Sequence, residues 1–247
     1  MKLLVADIGG TNARFAYKDD VSNELSNFSY LKCKDFENIF DAIKYYQEEN
    51  NLDIKNMSIA VASTTKHDAI KFTNNHWNFK QSNVFEHFKL DKLVFINDFV
   101  AQSLCFGSFY KDLTTDPSLN NKTALNNNLD IVKSGIPIIK APLVVTGPGT
   151  GLGICTLFNL HGSSIAIEGE GGHSSFAPNS DIEVELLQFL RKKYDHVSNE
   201  RIVSGSGIEE IFNFMLSRQG KQSSEIKAPE IGEKALLGEL DALNSVK

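Results

Sequence analysis

Cysteine is scarce in this chain: Cys33, Cys105 and Cys155 are an odd number, widely spaced, with no CxxC pair. That argues against a disulfide framework and a zinc cluster, and all three read as small buried hydrophobes in a reducing compartment. Long apolar runs are missing too. Nothing approaches the about eighteen residues that a membrane span needs. Basic charge is in deficit, with 25 Lys and Arg against 31 Asp and Glu and a net charge of −6, which argues against a phosphate backbone as partner. The start, MKLLVADIGG, is apolar only until Asp7 and lacks a small-residue cleavage site, so it is not read as a signal peptide. The expectation is a cytoplasmic protein with neither membrane nor nucleic acid as partner.

What is present is an ordinary globular composition, 41% hydrophobic and 23% charged over 247 residues, enough for one large domain or two modest ones. LLVADI, ARFAYK and NFSYLKC read as strands joined by turns. DFENIFDAIKYYQEEN then places Phe36, Ile39, Phe40, Ile43 and Tyr46 on one helical face behind Asp35 as cap. MSIAVAS and DKLVFIND are further strands, with a helix from near Phe99 through AQSLCF. Strands alternating with helices predict an α/β fold with a largely covered sheet.

From Asp112 to Pro137 the pattern gives way to an Asn-rich segment, read as a surface excursion between two domains or an insertion at the edge of the second. APLVVTGPGTGLGICTLFNL restores order as two apolar runs around a glycine turn, and helices come next in DIEVELLQFLRKKY and GIEEIFNFML. No solenoid repeat is visible.

Three glycine clusters carry the candidate chemistry. DIGGTNARF reads either as a Gly-Gly hairpin turn or as a phosphate loop, in which backbone amides and the Thr11 hydroxyl meet an anion and Asp7 holds a hydrated Mg²⁺. TGPGTGLG, from Thr146, has the same chemistry. Neither fits the Walker pattern, and Leu152 stands where the third glycine of a dinucleotide loop belongs. AIEGEGGHSSFAP sets Glu170 and His173 among glycines, where Glu170 is either a solvated loop acid or a polar ligand group. Glu200, after Ser198, reads in isolation as a first-turn acid on a helix dipole.

The apolar run LVFINDFVAQ is interrupted by Asn97 and Asp98. Either residue can cap the helix beyond them. The end of a buried α/β strand is also where ligands and catalytic groups sit, and a carboxylate there can accept a proton from a substrate hydroxyl. The two roles are compatible.

Taken in order, ADIGGTNARFA, TNNHWNF, FINDFVAQS, TGPGTGLG, EGEGGHSSFAP and ERIVSGSGIEEIF resemble the bacterial glucokinase family, from the N-terminus to about residue 216. The resemblance implies a two-domain actin-like ATPase (ribonuclease H-like) sugar kinase fold with a cleft between domains: a smaller domain over 1–108 and a larger one over 109–247. It implies transfer of the ATP γ-phosphoryl group to the 6-hydroxyl of glucose, feeding glycolysis, with ATP and Mg²⁺ as cofactors and a homodimer as the assembly. Asp98 would be the catalytic base. Asn97, Asp98, Glu170, His173 and Glu200 would line the sugar site. Asp7, Ile8, Gly9, Gly10, Thr11 and Asn12 would form one phosphate loop and Gly147, Gly149, Thr150 and Gly151 the other, with Asp7 reaching Mg²⁺ through water. TNNHWNF would belong to the smaller domain near the sugar cleft.

Two departures stand beside the match. The Asn-rich segment is longer than the family pattern, and the chain stops at Lys247, after EIGEKALLGELDALNSVK, where the family continues with a segment that helps hold adenosine and a terminal helix. The second domain is therefore expected to be incomplete and the isolated chain of low stability through exposed apolar surface. The alternative is a truncated, catalytically inactive sugar-binding or regulatory protein of the same fold. The absence of clustered cysteines argues against the related repressor and open-reading-frame sugar kinases.

Overall fold

The computed structural model describes residues 2–19, 24–72, 75–115, 132–133, 138, 141–160 and 163–246, with backbone alone at 108–115 and 159–160. It divides into two compact units, Met1–Tyr110 and Lys111–Lys247. No helix among the described residues is long and apolar enough to cross a membrane.

The N-terminal unit is built on a five-stranded sheet. Strands β1 (Leu3–Ile8), β2 (Asn12–Lys18) and β3 (Leu25–Lys32) form an antiparallel meander, and β4 (Asn56–Val61) and β7 (Lys92–Asn97) continue it in parallel, in the order β3-β2-β1-β4-β7. Alternation drives the inner strands: Leu4, Ala6 and Ile8 of β1 and Met57, Ile59 and Val61 of β4 are buried.

Helix α1 (Ile39–Glu49) starts three residues later than its sequence pattern suggests. Cys33–Asp35 is a 3₁₀ turn, Phe36 is extended, and the cap is Asn38, whose side chain accepts the amides of Phe40 and Asp41. An amide oxygen at this position satisfies two orphan donors that Asp35 is too distant to reach. Ile39, Ala42, Ile43 and Tyr46 then line the buried face, and the Tyr46 ring stacks on Phe15. A two-stranded ribbon, β5 (Ala69–Lys71) with β6 (Asn78–Lys80), and helix α2 (Gln81–His87) complete the region before β7. Strands of three residues are too short to show alternation, and sequence reading misses both.

Helix α3 (Asp98–Thr115) continues from β7 without a loop. It runs into the first residues of the Asn-rich segment, so the excursion does not begin at Asp112; most of the segment between Thr115 and Pro137 lies outside the described residues.

The C-terminal unit holds a three-stranded antiparallel sheet of β8 (Leu143–Pro148), β9 (Leu152–Leu160) and β10 (Ser163–Gly169), with β9 central. The expected covering is incomplete here, since Val144, Ile165 and Ile167 are 60%, 46% and 52% exposed. Helices α4 (Asp181–Leu190), capped by Ser180, and α5 (Gly205–Arg218), capped by Ser204, pack through Leu186, Leu190, Val197 and Phe214. Helices α6 (Ala228–Leu236) and α7 (Leu240–Val246) close a second cluster of Phe212, Leu216, Ile231, Ala235 and Ala242. Cys33 and Cys155 are buried as expected, whereas Cys105, on α3, is exposed.

Candidate active site

The first glycine motif is a hairpin turn between β1 and β2, closed by the Gly9 amide donating to the Asn12 carbonyl at 2.9 Å. Its carbonyls are held from outside: Asn75 Nδ2 donates to Gly9 O at 3.1 Å and the Cys33 amide donates to Thr11 O at 2.9 Å. The amides of Gly10 and Thr11 have no partner among the described residues, which is the arrangement an anion-binding turn needs. The motif is thus a hairpin turn, one of the two readings of its sequence. Asp7 and Arg14 lie opposite each other in the strand register, and Arg14 donates to Asp7 Oδ2 at 2.6 Å.

The second glycine motif joins β8 and β9. Gly147 lies on β8, paired with Gly153, and the turn proper is Gly149–Gly151, with the Gly149 amide donating to Gly151 O at 2.8 Å. The Gly205 amide, at the start of α5, donates to Gly149 O at 2.8 Å, and Glu200 Oε2 accepts the Leu152 amide at 2.9 Å.

Glu170, His173 and Glu200 converge. Gly171–His173 is a 3₁₀ turn after β10, seated so closely on Leu152 that a Cβ on Gly172 would overlap the Leu152 carbonyl oxygen. The Asn199 amide donates to Ser174 O and Ser175 bridges Ser198, which brings the 3₁₀ turn Asn199–Arg201 alongside. The His173 imidazole then lies between two carboxylates, with Nδ1 3.4 Å from Glu170 Oε2 and Nε2 3.8 Å from Glu200 Oε1. Glu170 is 90% and His173 60% exposed, against 29% for Glu200. The helix-dipole reading of Glu200 does not hold, because its turn is three residues long and its carboxylate is engaged by Leu152.

Asn97 ends β7 and caps α3: its Oδ1 accepts the amides of Phe99 and Val100 at 3.0 and 3.1 Å, and its Nδ2 donates to Ser63 O at 3.4 Å. Asp98 is part-buried, with Oδ1 accepting the Phe99 amide at 2.8 Å. Burial raises the Asp98 carboxyl above the usual aspartate range; the Phe99 hydrogen bond opposes this and the charge of Asp7 adds to it. A carboxylate whose proton affinity is raised is a stronger proton acceptor.

Two participants escape a reading of the sequence alone. Arg14 sits within its motif without a role of its own, yet its charge and its place seven residues after Asp7 across a tight turn are a usable signal. Asn75, within TNNHWNF, props the first turn and also accepts the Trp77 amide at 3.0 Å. Thr73 and Asn74 of that motif lie outside the described residues.

A family model described as Glucokinase matches residues 4–246. A glucokinase of Campylobacter jejuni subsp. doylei is 38% identical over 237 residues, covering 95% of this chain and 67% of its own length. Among solved structures, a glucokinase from an Antarctic psychrotroph superposes with a TM-score of 0.77 at 30% identity, over 99% of this chain and 74% of that one. A Balamuthia mandrillaris glucokinase in complex with glucose gives 0.71 at 21% identity, over 99% and 72%, a likeness of fold.

Proposed function

This chain belongs to the glucokinase family, and on that premise we propose how its residues carry the γ-phosphoryl group of ATP to the 6-hydroxyl of glucose. The observation that carries the reading is Asp98: a part-buried carboxylate at the end of a parallel strand, with its proton affinity raised and one oxygen fixed by Phe99. The Asp98 carboxylate accepts the proton of the 6-hydroxyl as its oxygen attacks the γ-phosphorus. The bond from that phosphorus to the bridging oxygen breaks, and ADP departs with the electron pair. Asn97 keeps the strand-to-helix junction in place.

Glu170, His173 and Glu200 hold sugar hydroxyls, since carboxylates accept from several donors and a site built this way strongly rejects sugars lacking those hydroxyls. The amides of Gly10 and Thr11, with the rest of Asp7–Asn12, and the second glycine segment, Gly147 on β8 with Gly149, Thr150 and Gly151 in the turn, meet the nucleotide phosphates. Among the described residues no three His, Cys, Asp or Glu side chains cluster as a metal site. Asp7, near the end of β1 beside the first turn, would hold Mg²⁺ through water. When bound, Mg²⁺ neutralises charge on the phosphates. A homodimer acting in the cytoplasm on glucose and ATP, with no nucleic acid or membrane partner, completes the proposal.

The test compares glucose with 6-deoxyglucose, which keeps the ring hydroxyls but lacks the acceptor. Glucose is expected to drive ADP release and 6-deoxyglucose to bind without it. Equal ADP release with both sugars, or none with glucose, contradicts the reading.

A further inference from the structure

Two short turns carry the proposed sugar-binding side chains, and one side-chain relay joins them. Ser174, directly after His173, donates its hydroxyl proton to Gly171 O at 2.8 Å. Asn199, directly before Glu200, donates from Nδ2 to Ser174 Oγ at 2.9 Å. A hydroxyl has one proton to give, so with that proton on Gly171 its oxygen is left to accept, which fixes the direction of the relay. The backbone beside it is in register as well. The Asn199 amide donates to Ser174 O at 2.9 Å and the Phe176 amide to Val197 O at 3.0 Å, on either side of the Ser175–Ser198 bridge.

Together with bonds already described, the relay closes a ring. Glu200 Oε2 holds the Leu152 amide, Gly172 is seated on the Leu152 carbonyl, and Gly171 is tied through Ser174 to Asn199 and so back to Glu200. The His173 imidazole hangs from this ring between Glu170 and Glu200. Asn199 is anchored on its far side too, its carbonyl accepting the amides of Ile202 and Val203 at 3.0 and 2.8 Å.

Both side-chain bonds of the relay are exposed, where a neutral hydrogen bond contributes little to folding. The backbone bonds already hold the two segments together. What they leave open is orientation, because Gly171–His173 and Asn199–Arg201 are turns of three residues with no helical repeat to set their pitch. The relay supplies that constraint at the residues flanking His173 and Glu200.

We propose that Asn199 and Ser174 are positioning residues for sugar recognition, setting the separation of His173 and Glu200 to which a hexose is matched. The proposal rests on the assignment of those two side chains to glucose. It also makes the pair a determinant of specificity, since polar groups held in place discriminate between hydroxyl arrangements and loosened ones do not.

The test measures glucose and mannose binding by calorimetry on the whole chain, on Asn199→Ala, Ser174→Ala and their double variant, and on Ser174→Thr, which keeps the hydroxyl. Urea midpoints and the His173 imidazole NMR signals, assigned through His173→Gln, are recorded on each without sugar. Each Ala variant is expected to bind glucose about fivefold or more weakly, with the ratio of glucose to mannose affinity moving toward one and the urea midpoint nearly unchanged. The double variant is expected to be no worse than either single one, because both break the same relay, and Ser174→Thr to restore binding. The His173 signals are expected to shift in the Ala variants and to return in Ser174→Thr. Unchanged glucose affinity, additive losses, losses that follow the urea midpoint, or unmoved His173 signals each overturn the proposal. A wild-type chain that binds no glucose contradicts the proposed function instead, and the His173 signals then decide the relay by themselves.

Discussion

The Glu200 carboxylate accepts the Leu152 amide at 2.9 Å across 48 residues of sequence, while its other oxygen faces the His173 imidazole at 3.8 Å. One side chain therefore ties the second glycine turn to the proposed sugar-binding cluster. A Cβ on Gly151 would come within 2.5 Å of Glu200 Oε2, so the glycine is what lets the carboxylate approach the backbone.

Gly151→Ala is expected to displace the flexible end of Glu200 rather than the fold. Glucose affinity should fall by about tenfold, the cost of one charge-assisted hydrogen bond, with a loss of about 1 kcal/mol in stability. Calorimetric glucose titration beside a thermal melt checks this, and unchanged affinity would show that Glu200 does not hold sugar.

The raised Asp98 carboxyl sets the acid limb of the rate profile. Turnover is expected to fall as Asp98 protonates, at a pH above that of an ordinary aspartate, because burial and the charge of Asp7 both favour the protonated form. Asp7→Asn removes one of those causes and should move the limb of kcat/KM toward lower pH, on top of any loss from disturbed phosphate binding. A limb that does not move, in a variant that still turns over, separates Asp98 from the titration.

Much of this is legible in the sequence, for particular reasons. β1, β4 and β7 can be read because alternating or continuous apolar residues mark buried strands, and Asn97-Asp98 because a carboxylate there breaks such a run. The convergence of Glu170, His173 and Glu200 is implied only by family resemblance. It depends on the Asn199–Ser174 hydrogen bond and on Gly172 fitting against Leu152, which no local pattern encodes. The start of α1 is misplaced in the sequence pattern because Asp35 and Asn38 are both competent caps and only tertiary context selects between them.

Glu210 is an acid-sensitive tie in the C-terminal unit. Burial alone would raise its carboxyl, but donations from Lys193 and the Tyr194 hydroxyl outweigh it and hold the group below the usual glutamate range. A depressed folded-state pKa contributes stability above the unfolded value of about 4.3 and loses it as pH falls through the folded one. Glu210→Gln is expected to cost about 1–2 kcal/mol at neutral pH and much less in acid. Equal destabilisation at both ends, by chemical denaturation, would rule out the linkage.

Tyr46 behaves in the opposite sense at alkaline pH. Burial pushes its phenol up to about 12, with the nearby Tyr17 adding to it, and its hydroxyl donates to Asn27 O at 2.9 Å. Its stabilising contribution is complete below the unfolded value of about 10 and is lost as pH rises toward the folded one. Tyr46→Phe should cost about 1 kcal/mol at neutral pH and flatten that alkaline loss; an unaltered alkaline profile would contradict it.

Apolar side chains stand in solvent on the C-terminal unit: Leu236, Leu237 and Leu240 are 90%, 82% and 73% exposed, and Val144 and Ile167 more than half. The chain is expected to bind ANS in its native state and to aggregate on mild heating. A cooperative, reversible melt with no ANS signal would refute this.

The most direct test of the central claim is the initial rate of ADP formation at saturating glucose and Mg²⁺-ATP for the chain and its Asp98→Asn variant, with glucose binding measured on both. A rate lower by about 10²–10⁴ is expected in the variant while glucose still binds. A variant that turns over at a near-normal rate would contradict the assignment of Asp98 as the base.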